Sequence, residues 1–206
     1  MPGRNRYLDV RSQYTNLHES FEKRASDRSE NFSMGSAKPS EPCIFLSHRS
    51  TDKVAVIEIG KYITSKGIDV YIDVDDPNLQ QAVARDDHKA ITAAIELAIA
   101  NSTDLLAYVT SNTVTSPWVP FEIGFAKRNQ NYLAAMRGKD LPSYRLPSYL
   151  EIVRKIGGYK ALNAYLMDVL KRQTGSSTGS VSVYTQRLSL LDASAGASLA
   201  TYLANE

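Results

Sequence analysis

Short apolar runs alternate with amphipathic stretches between residues 43 and 138 of this 206-residue chain. The apolar runs have the length of buried strands: CIFLS (43–47), IDVYID (68–73), DLLAYVT (104–110) and NYLAAMRG (131–138). Strands that alternate with helices at this spacing favour a parallel sheet with helices on both faces. The pattern therefore predicts a doubly wound α/β domain.

The stretches between these runs repeat apolar residues at helical intervals. Residues 51–66 are predicted to form a helix that Ser50 or Thr51 caps and that Gly67 ends in the left-handed conformation. Residues 88–102 carry a stripe typical of a helix packed on a sheet: Ile91, Ala94, Ile95, Ala98 and Ile99. The acidic stretch from 73 to 87 is predicted to be a long loop.

The first 42 residues are polar and charged and end in the linker-like stretch SMGSAKPSEP. Within them one apolar seam has the spacing of a short amphipathic helix: Tyr7, Val10, Tyr14, Leu17 and Phe21. This helix is predicted to dock on the domain or on a second copy of the chain, and disorder is the alternative.

The chain beyond residue 140 is less regular. LPSYRLPSYL (141–150) is a turn region punctuated by prolines, and residues 148–172 read as one or two helices broken at Gly157 and Gly158, with no fifth strand evident. QTGSSTGS is linker-like, and residues 183–206 are either a weak helix that packs back or a mobile tail. The predicted organisation is an N-terminal extension (1–42), a domain (43–172) and a linker with a C-terminal extension (173–206).

Composition narrows the class of protein. Hydrophobic residues make up 43% of the chain, and 24 basic and 22 acidic residues are interspersed, which argues against nucleic-acid binding. The single cysteine, Cys43, opens an apolar run and suggests a buried thiol in a reducing compartment. The helical run ITAAIELAIA is about half the length that a bilayer requires, and the N-terminus lacks a signal-peptide core. A cytoplasmic protein without a membrane partner is expected.

The stretch SPWVPFEIGFA places an acid where a helix would favour another hydrophobe. Ser116 is predicted to cap this helix, with Pro117 at its first position. Trp118, Glu122 and Phe125 then share one helical face. Glu122 either complements the positive end of the helix dipole or lines a partly apolar cleft in which burial tunes its charge. The segment alone leaves both interpretations open.

Open α/β sheets bind ligands beyond the carboxyl ends of their strands. Ser47, His48 and Arg49 follow the first strand, beside a helix N-terminus that favours anions, although Arg49 could be merely solvated and His48 could cap or pack. The acids after the second strand lack calcium-loop spacing: Asp73, Asp75, Asp76, Asp86 and Asp87. No metal site is predicted, and the chain has neither a P-loop nor a dinucleotide-binding glycine fingerprint.

Four segments occur in the order and spacing of a TIR (Toll/interleukin-1 receptor) domain: CIFLSHRSTDK, GIDVYIDVDD, AITAAIELAIANSTDLLAYVTSN and SPWVPFEIGFA. The chain is most similar to stand-alone bacterial TIR proteins, over residues 43–172. Trp118 to Glu122 fits the Trp-x-x-x-Glu signature of that family, whereas Pro117 and Pro120 depart from many members. The resemblance implies a flavodoxin-like parallel sheet, here with helical N- and C-terminal extensions.

The resemblance also implies an activity, in which Glu122 cleaves the nicotinamide glycosidic bond of NAD. A fixed carboxylate stabilises the oxocarbenium character that develops on the ribose. Substrate contacts are expected at Ser47, Arg49, Asp73 and Trp118, although a core position is an alternative for the Trp. NAD is the substrate and no cofactor is expected. Attack by water gives ADP-ribose, attack by an adenine nitrogen gives a cyclic ADP-ribose, and another nucleophile gives a conjugate.

Two other functions fit parts of the pattern. A non-catalytic TIR adaptor would use the fold for assembly alone, and a nucleoside deoxyribosyltransferase would use a carboxylate on a related fold. Glu122 beside Trp118 disfavours the adaptor, and their spacing favours a TIR domain over the transferase. The resemblance further suggests antiphage immunity, self-association through the TIR domain and an effector that receives a nucleotide signal.

Overall fold

The computed structural model describes residues 42–73, 77–173 and 198–204. In these residues five strands form one parallel sheet in the order β2-β1-β3-β4-β5. The strands are β1 (Cys43–Ser47), β2 (Asp69–Tyr71), β3 (Asp104–Val109), β4 (Tyr132–Arg137) and β5 (Arg154–Ile156). The α-helices are α1 (Lys53–Ser65), α2 (Pro77–Ala84), α3 (His88–Ala100), α4 (Trp118–Arg128) and α5 (Gly158–Gln173). Short 3-10 helices span Ser50–Asp52, Thr113–Thr115, Ser143–Arg145 and Ser148–Ile152.

The sheet has an apolar core on each face. Alternate residues of β1 point to opposite sides, so that Ile44 and Leu46 join a core with α1 and α5. Cys43 and Phe45 join the other core, to which α2, α3 and α4 contribute. Both faces of the sheet are therefore covered, and the doubly wound α/β prediction is confirmed.

The strand order places a crevice beside β1. The chain moves outward from β1 to β2 and then crosses back to β3 on the other side of β1. At such a topological switch point the loops after the two neighbouring strands diverge and leave room for a ligand. The loops after β1 and β3 therefore border a possible binding site.

The fifth strand corrects the expectation that residues 148–172 form one or two helices broken at Gly157 and Gly158, with no fifth strand. Ser148–Ile152 is a 3-10 helix, Arg154–Ile156 pairs in parallel with β4, and α5 begins only at Gly158. Only Ile156 of the three strand residues is buried. A three-residue edge strand with two exposed basic side chains has too little apolar periodicity for recognition from the sequence.

The acidic stretch from 73 to 87 is likewise not only a loop, because it contains α2. Leu79 and Ala82 are buried in the second core, one helical turn apart. Two apolar contacts over eight residues are too weak a signal to predict an amphipathic helix. Asp87 accepts a hydrogen bond from the backbone N–H of Ala90 at 3.0 Å and caps α3.

Two of the predicted helix starts are also wrong. Asp52, rather than Ser50 or Thr51, occupies the N-cap position of α1, and no side chain caps the helix there. Ser116 does not cap α4 either, because Pro117 occupies the N-cap position and no side chain caps the helix. The Ser116 backbone N–H donates to the Thr113 carbonyl at 2.9 Å and closes the preceding turn. The helix therefore begins two residues later than Ser116. The predicted end of α1 is confirmed, because Gly67 has a φ of 87°.

The segment 198–204 packs back on the domain. Its residues Leu199 and Leu203 are buried in the core that contains α1 and α5. The Tyr202 carbonyl accepts hydrogen bonds from the Lys139 backbone N–H and the Tyr108 hydroxyl, both at 2.9 Å. Of the two alternatives for the C-terminal extension, packing back is the one that this segment adopts.

A polar cluster fastens α5 to the amino end of β3. Asp104 is buried there and accepts hydrogen bonds from Thr103 Oγ1 at 2.7 Å, from the Tyr165 hydroxyl at 3.0 Å and from the Arg172 guanidinium. Burial raises the pKa of Asp104, and the charge of Arg172 opposes that shift. The guanidinium also lies 3.8 Å from the ring centroid of Tyr132. The cluster lies at the opposite end of the sheet from the loops after β1 and β3.

Several predictions fall outside the described residues. The amphipathic seam of the N-terminal extension, the linkers on either side of the domain, Asp75 and Asp76 all lie there. Within the described ranges, no helix combines the length and the apolar character needed to cross a bilayer.

Candidate active site

The candidate site residues come together at the carboxyl edge of the sheet. Ser47 ends β1 and Arg49 follows it closely, Asp73 follows β2, and Glu122 lies one turn into α4. Ser47 and Glu122 are 75 residues apart in the chain and in direct contact. The predicted convergence at this edge follows from the parallel order of the strands.

Glu122 is a buried acid, with only 4% of its surface exposed. The Ser47 hydroxyl donates a hydrogen bond to its Oε2. Among the described residues Glu122 has no other hydrogen-bond partner and no cation. The interpretation of Glu122 as a solvated complement to the helix dipole is therefore inconsistent with its position.

Burial sets the charge of this acid. It raises the pKa of Glu122 from 4.5 to about 8, and the hydrogen bond from Ser47 opposes the shift, whereas the negative charge of Asp73 adds to it. A carboxyl group in this state exchanges its proton close to neutral pH. Such a perturbed acid at a topological switch point is a characteristic of active sites.

Asp73 is the more accessible of the two carboxylates. About a third of its side chain is exposed (32%), and its Oδ1 lies 3.6 Å from Nδ1 of His48. His48 itself is buried, and its Nδ1 is 3.0 Å from the carbonyl oxygen of Leu46. Asp73 is close enough for its charge to act on Glu122, and His48 is its neighbour, while its role as a substrate contact stays a prediction.

Arg49 joins the loop after β1 to the loop after β3. Its Nη1 donates to the Asn112 carbonyl at 2.9 Å and to Thr115 Oγ1 at 2.7 Å. A guanidinium has five N–H donors, and these two bonds leave Nη2 and Nε for a ligand. The position is compatible with the predicted contact to a phosphate or ribose and also supports the loop that leads to α4.

Trp118 lies half-buried at the first turn of α4. Its ring meets the ring of Phe121 edge to face, with centroids 5.9 Å apart, and packs against the core that contains α3 and α4. Phe121 in turn stacks near Phe125, with a centroid separation of 6.4 Å. The ring serves core packing at least on one side, which is one of the two roles that the sequence left open for it.

Asp52 is a site residue that sequence reasoning missed. Its carboxylate accepts hydrogen bonds from Thr110 Oγ1 at 2.6 Å and from Asn112 Nδ2 at 3.0 Å, so it holds the start of α1 against the loop after β3. The available signal was an acid five residues after the end of a buried strand. It was insufficient because the partners are about 60 residues away in the chain.

The arrangement defines a class of protein: a flavodoxin-like α/β domain with a buried acid and an accessible acid at its switch point. The family model described as TIR domain matches residues 44–156, which is more than half of the chain. The chain therefore belongs to the TIR domain family, whose members include NAD-cleaving enzymes and adaptors. No curated protein matches it.

Proposed function

We propose that this TIR domain cleaves the bond between nicotinamide and ribose in NAD, with Glu122 as the catalytic carboxylate. The observation that carries the proposal is the burial of Glu122 at the switch point with a single hydroxyl partner, Ser47. An ionised carboxylate is unfavourable in that position unless a positive charge arrives to meet it. The nicotinamide ring of NAD carries such a charge, and the ribose acquires one in the transition state.

The chemistry requires little beyond this carboxylate. When the C–N bond breaks, both of its electrons go to the nicotinamide nitrogen, so that the leaving group is neutral without being protonated. Positive charge develops on the ribose, and ionised Glu122 stabilises the transition state more than the ground state. Water that attacks the anomeric carbon and loses a proton gives ADP-ribose, whereas an adenine nitrogen or another nucleophile gives a cyclic product or a conjugate.

Four other residues of the site have supporting roles in this proposal. Ser47 orients the carboxyl group through its hydroxyl. Asp73, which follows β2, contacts ribose hydroxyls, and Arg49, which follows β1, contacts the diphosphate. Trp118 borders the site from the start of α4.

The proposal is tested by incubating the purified chain with NAD and resolving the products by mass spectrometry. Nicotinamide release by the wild type is expected to fall at least a hundredfold in Glu122→Gln, which keeps the size of the side chain and removes its charge. Glu151→Gln is the matched control, because Glu151 is an exposed acid paired with Lys155 at 2.6 Å. Equal release by wild type and Glu122→Gln contradicts the catalytic role. The absence of turnover at every protein concentration favours the adaptor.

Self-association is a further part of the proposal. TIR domains commonly self-associate, and Glu122 is too deeply buried for a dinucleotide to reach it unless the surrounding groups move. We infer that contact between copies opens or completes the site. Turnover per molecule is then expected to rise with protein concentration or with crowding agents, and a constant value would show that single molecules are fully active.

The biological proposal is bacterial antiphage defence in the cytoplasm, where this activity depletes NAD or produces a nucleotide signal for an effector protein. It rests on the similarity of the chain to stand-alone bacterial TIR proteins. Phage plating on cells that express the wild type is expected to be reduced, and Glu122→Gln is expected to abolish the protection. Equal protection by the two proteins would contradict a role for NAD cleavage.

A further inference from the structure

His48 is a buried imidazole that the proposed chemistry does not use. Only 1% of its side chain is exposed. Its Nδ1 lies 3.0 Å from the Leu46 carbonyl oxygen, which can only accept, so Nδ1 carries a proton. Its Nε2 is buried without a hydrogen-bond partner in the described part of the chain. A buried polar atom without a hydrogen-bond partner lowers the stability of the folded protein, and this atom belongs to a residue adjacent to the site.

The ring of His48 supports Asp73. The 3.6 Å between Nδ1 and Asp73 Oδ1 is too long for a hydrogen bond, so the support is the electrostatic attraction of the N–H edge and the bulk of the ring. Asp73 follows a strand of only three residues and has a partly exposed side chain. Removal of the His48 ring takes away one of the groups that border this carboxylate and increases its freedom to turn.

Two consecutive residues therefore lie next to the two acids of the site. The Ser47 hydroxyl donates to Glu122, and the ring of His48 borders Asp73. Both acids therefore lie next to residues at the end of β1, which is a fully buried interior strand of the sheet. A preorganised site requires its functional groups to be positioned by rigid elements of this kind.

We propose that His48 is a positioning residue. Its ring holds the Asp73 carboxylate in a place where this carboxylate accepts hydrogen bonds from the hydroxyls of the ribose that carries nicotinamide. The ligand class is a ribonucleotide with a free vicinal diol, so the inference rests on the proposed function and specifies one contact of the same site. Asp73 suits this role because it is accessible, whereas Glu122 is buried. A carboxylate is a common partner for ribose hydroxyls in nucleotide sites.

The first test is steady-state kinetics with NAD. Asp73→Asn and His48→Ala are each expected to raise KM about tenfold, the effect of one lost hydroxyl contact, with kcat changed less than about threefold. His48→Asn, which retains an N–H near the position of Nδ1, is expected to recover most of the loss. The double variant His48→Ala with Asp73→Asn is expected to be no worse than Asp73→Asn alone.

A surface pair provides the matched control. His88 Nε2 lies 3.5 Å from Asp86 Oδ1, but both side chains are largely exposed, at 76% and 89%. His88→Ala and Asp86→Asn are expected to leave KM and kcat unchanged. Equal effects of the two pairs would overturn the assignment, and so would a His48→Ala effect confined to kcat or additive with that of Asp73→Asn.

Binding to the Glu122→Gln protein separates this inference from the proposed function. Calorimetry with intact NAD is expected to show about tenfold weaker binding when His48→Ala is added, and a similar loss when NAD is replaced by its 2′-deoxyribose analogue on the nicotinamide side. If NAD binds equally with and without His48→Ala, the inference is wrong while cleavage by wild type can still hold. If NAD neither binds nor is cleaved, the proposed function fails and the inference fails with it.

Discussion

At the scale of the residue, the ionisation of Glu122 governs the behaviour of the site. Its carboxyl group is buried against a hydroxyl rather than a cation, so its proton is retained to about pH 8. The sequence left open whether this acid was solvated or buried. The contact with Ser47 and the burial of this face of α4 resolve that ambiguity. Burial is a property of the packed molecule and cannot be read from one segment.

The pH dependence of activity follows from this ionisation. The ionised form is the active one, so kcat/KM for NAD is expected to rise with pH and to level off above about 8. Asp73→Asn removes a charge that raises the pKa of Glu122 and should shift the profile to lower pH. Ser47→Ala removes a hydrogen bond that lowers this pKa and should shift the profile to higher pH. Initial rates across pH 5 to pH 10 check the directions, and shifts of the opposite sign would contradict this account of the site.

The same group links stability to pH. Its pKa in the folded protein is raised from 4.5 to about 8, so the stabilising proton is fully bound below about pH 4.5 and is lost as the pH rises through 8. Glu122→Gln has no proton to lose and is expected to be more stable than wild type at pH 9, by up to a few kcal/mol at about 1.4 kcal/mol per pKa unit. Urea unfolding at pH 5 and pH 9 measures the difference. Glu151→Gln should show none, and an advantage of Glu122→Gln that does not grow with pH would refute the linkage.

At the scale of the element, strands and helices with many buried contacts were predictable and short ones were not. The run of Cys43–Ser47 and the stripe on α3 carry a repeated apolar signal, and both are confirmed. The edge strand Arg154–Ile156 and the helix Pro77–Ala84 each bury two residues or fewer among those described, so their conformations depend on their neighbours. Helix starts were missed for a related reason, because Asp52 uses its carboxylate for the loop after β3 instead of a cap.

The segment 198–204 is expected to contribute to stability as a part of the core. Leu203→Ala removes a side chain that is 1% exposed and should lower the free energy of unfolding by about 2 to 4 kcal/mol. Leu97→Ala on α3 is the control, since Leu97 is 36% exposed and should cost less than about 1 kcal/mol. Urea denaturation compares the two variants. Equal midpoints would indicate that the segment adds little to the folded domain.

At the scale of the whole molecule, helices cover both faces of the sheet, so a ligand can reach the sheet at its carboxyl edge but not on its faces. Helices α1 and α5 cover one face, and α2, α3 and α4 cover the other. The loops at the carboxyl edge are the parts of this architecture that can vary without cost to the cores. The candidate site accordingly lies at this edge of the sheet.

Association of whole molecules provides the last prediction. The apolar seam from Tyr7 to Phe21 has the spacing of a docking helix, although it lies outside the described residues. Deletion of residues 1–40 is expected to reduce the oligomer size measured by light scattering, because an amphipathic helix needs a surface to bury its seam. An unchanged mass would reject this role, and a chain with Val10 and Leu17 replaced by Ser tests the seam without shortening the protein.

The sequence by itself determined the fold class, the approximate places of four strands and the edge at which the acids would meet. These properties follow from local periodicity and from the direction of parallel strands, which a single sequence carries. Only the tertiary structure decided that Glu122 is buried against Ser47, that Asp73 lies beside His48 and that residues 198–204 fill the core. These are contacts between distant parts of the chain, whose distances and desolvation energies are defined only once the packed molecule has formed.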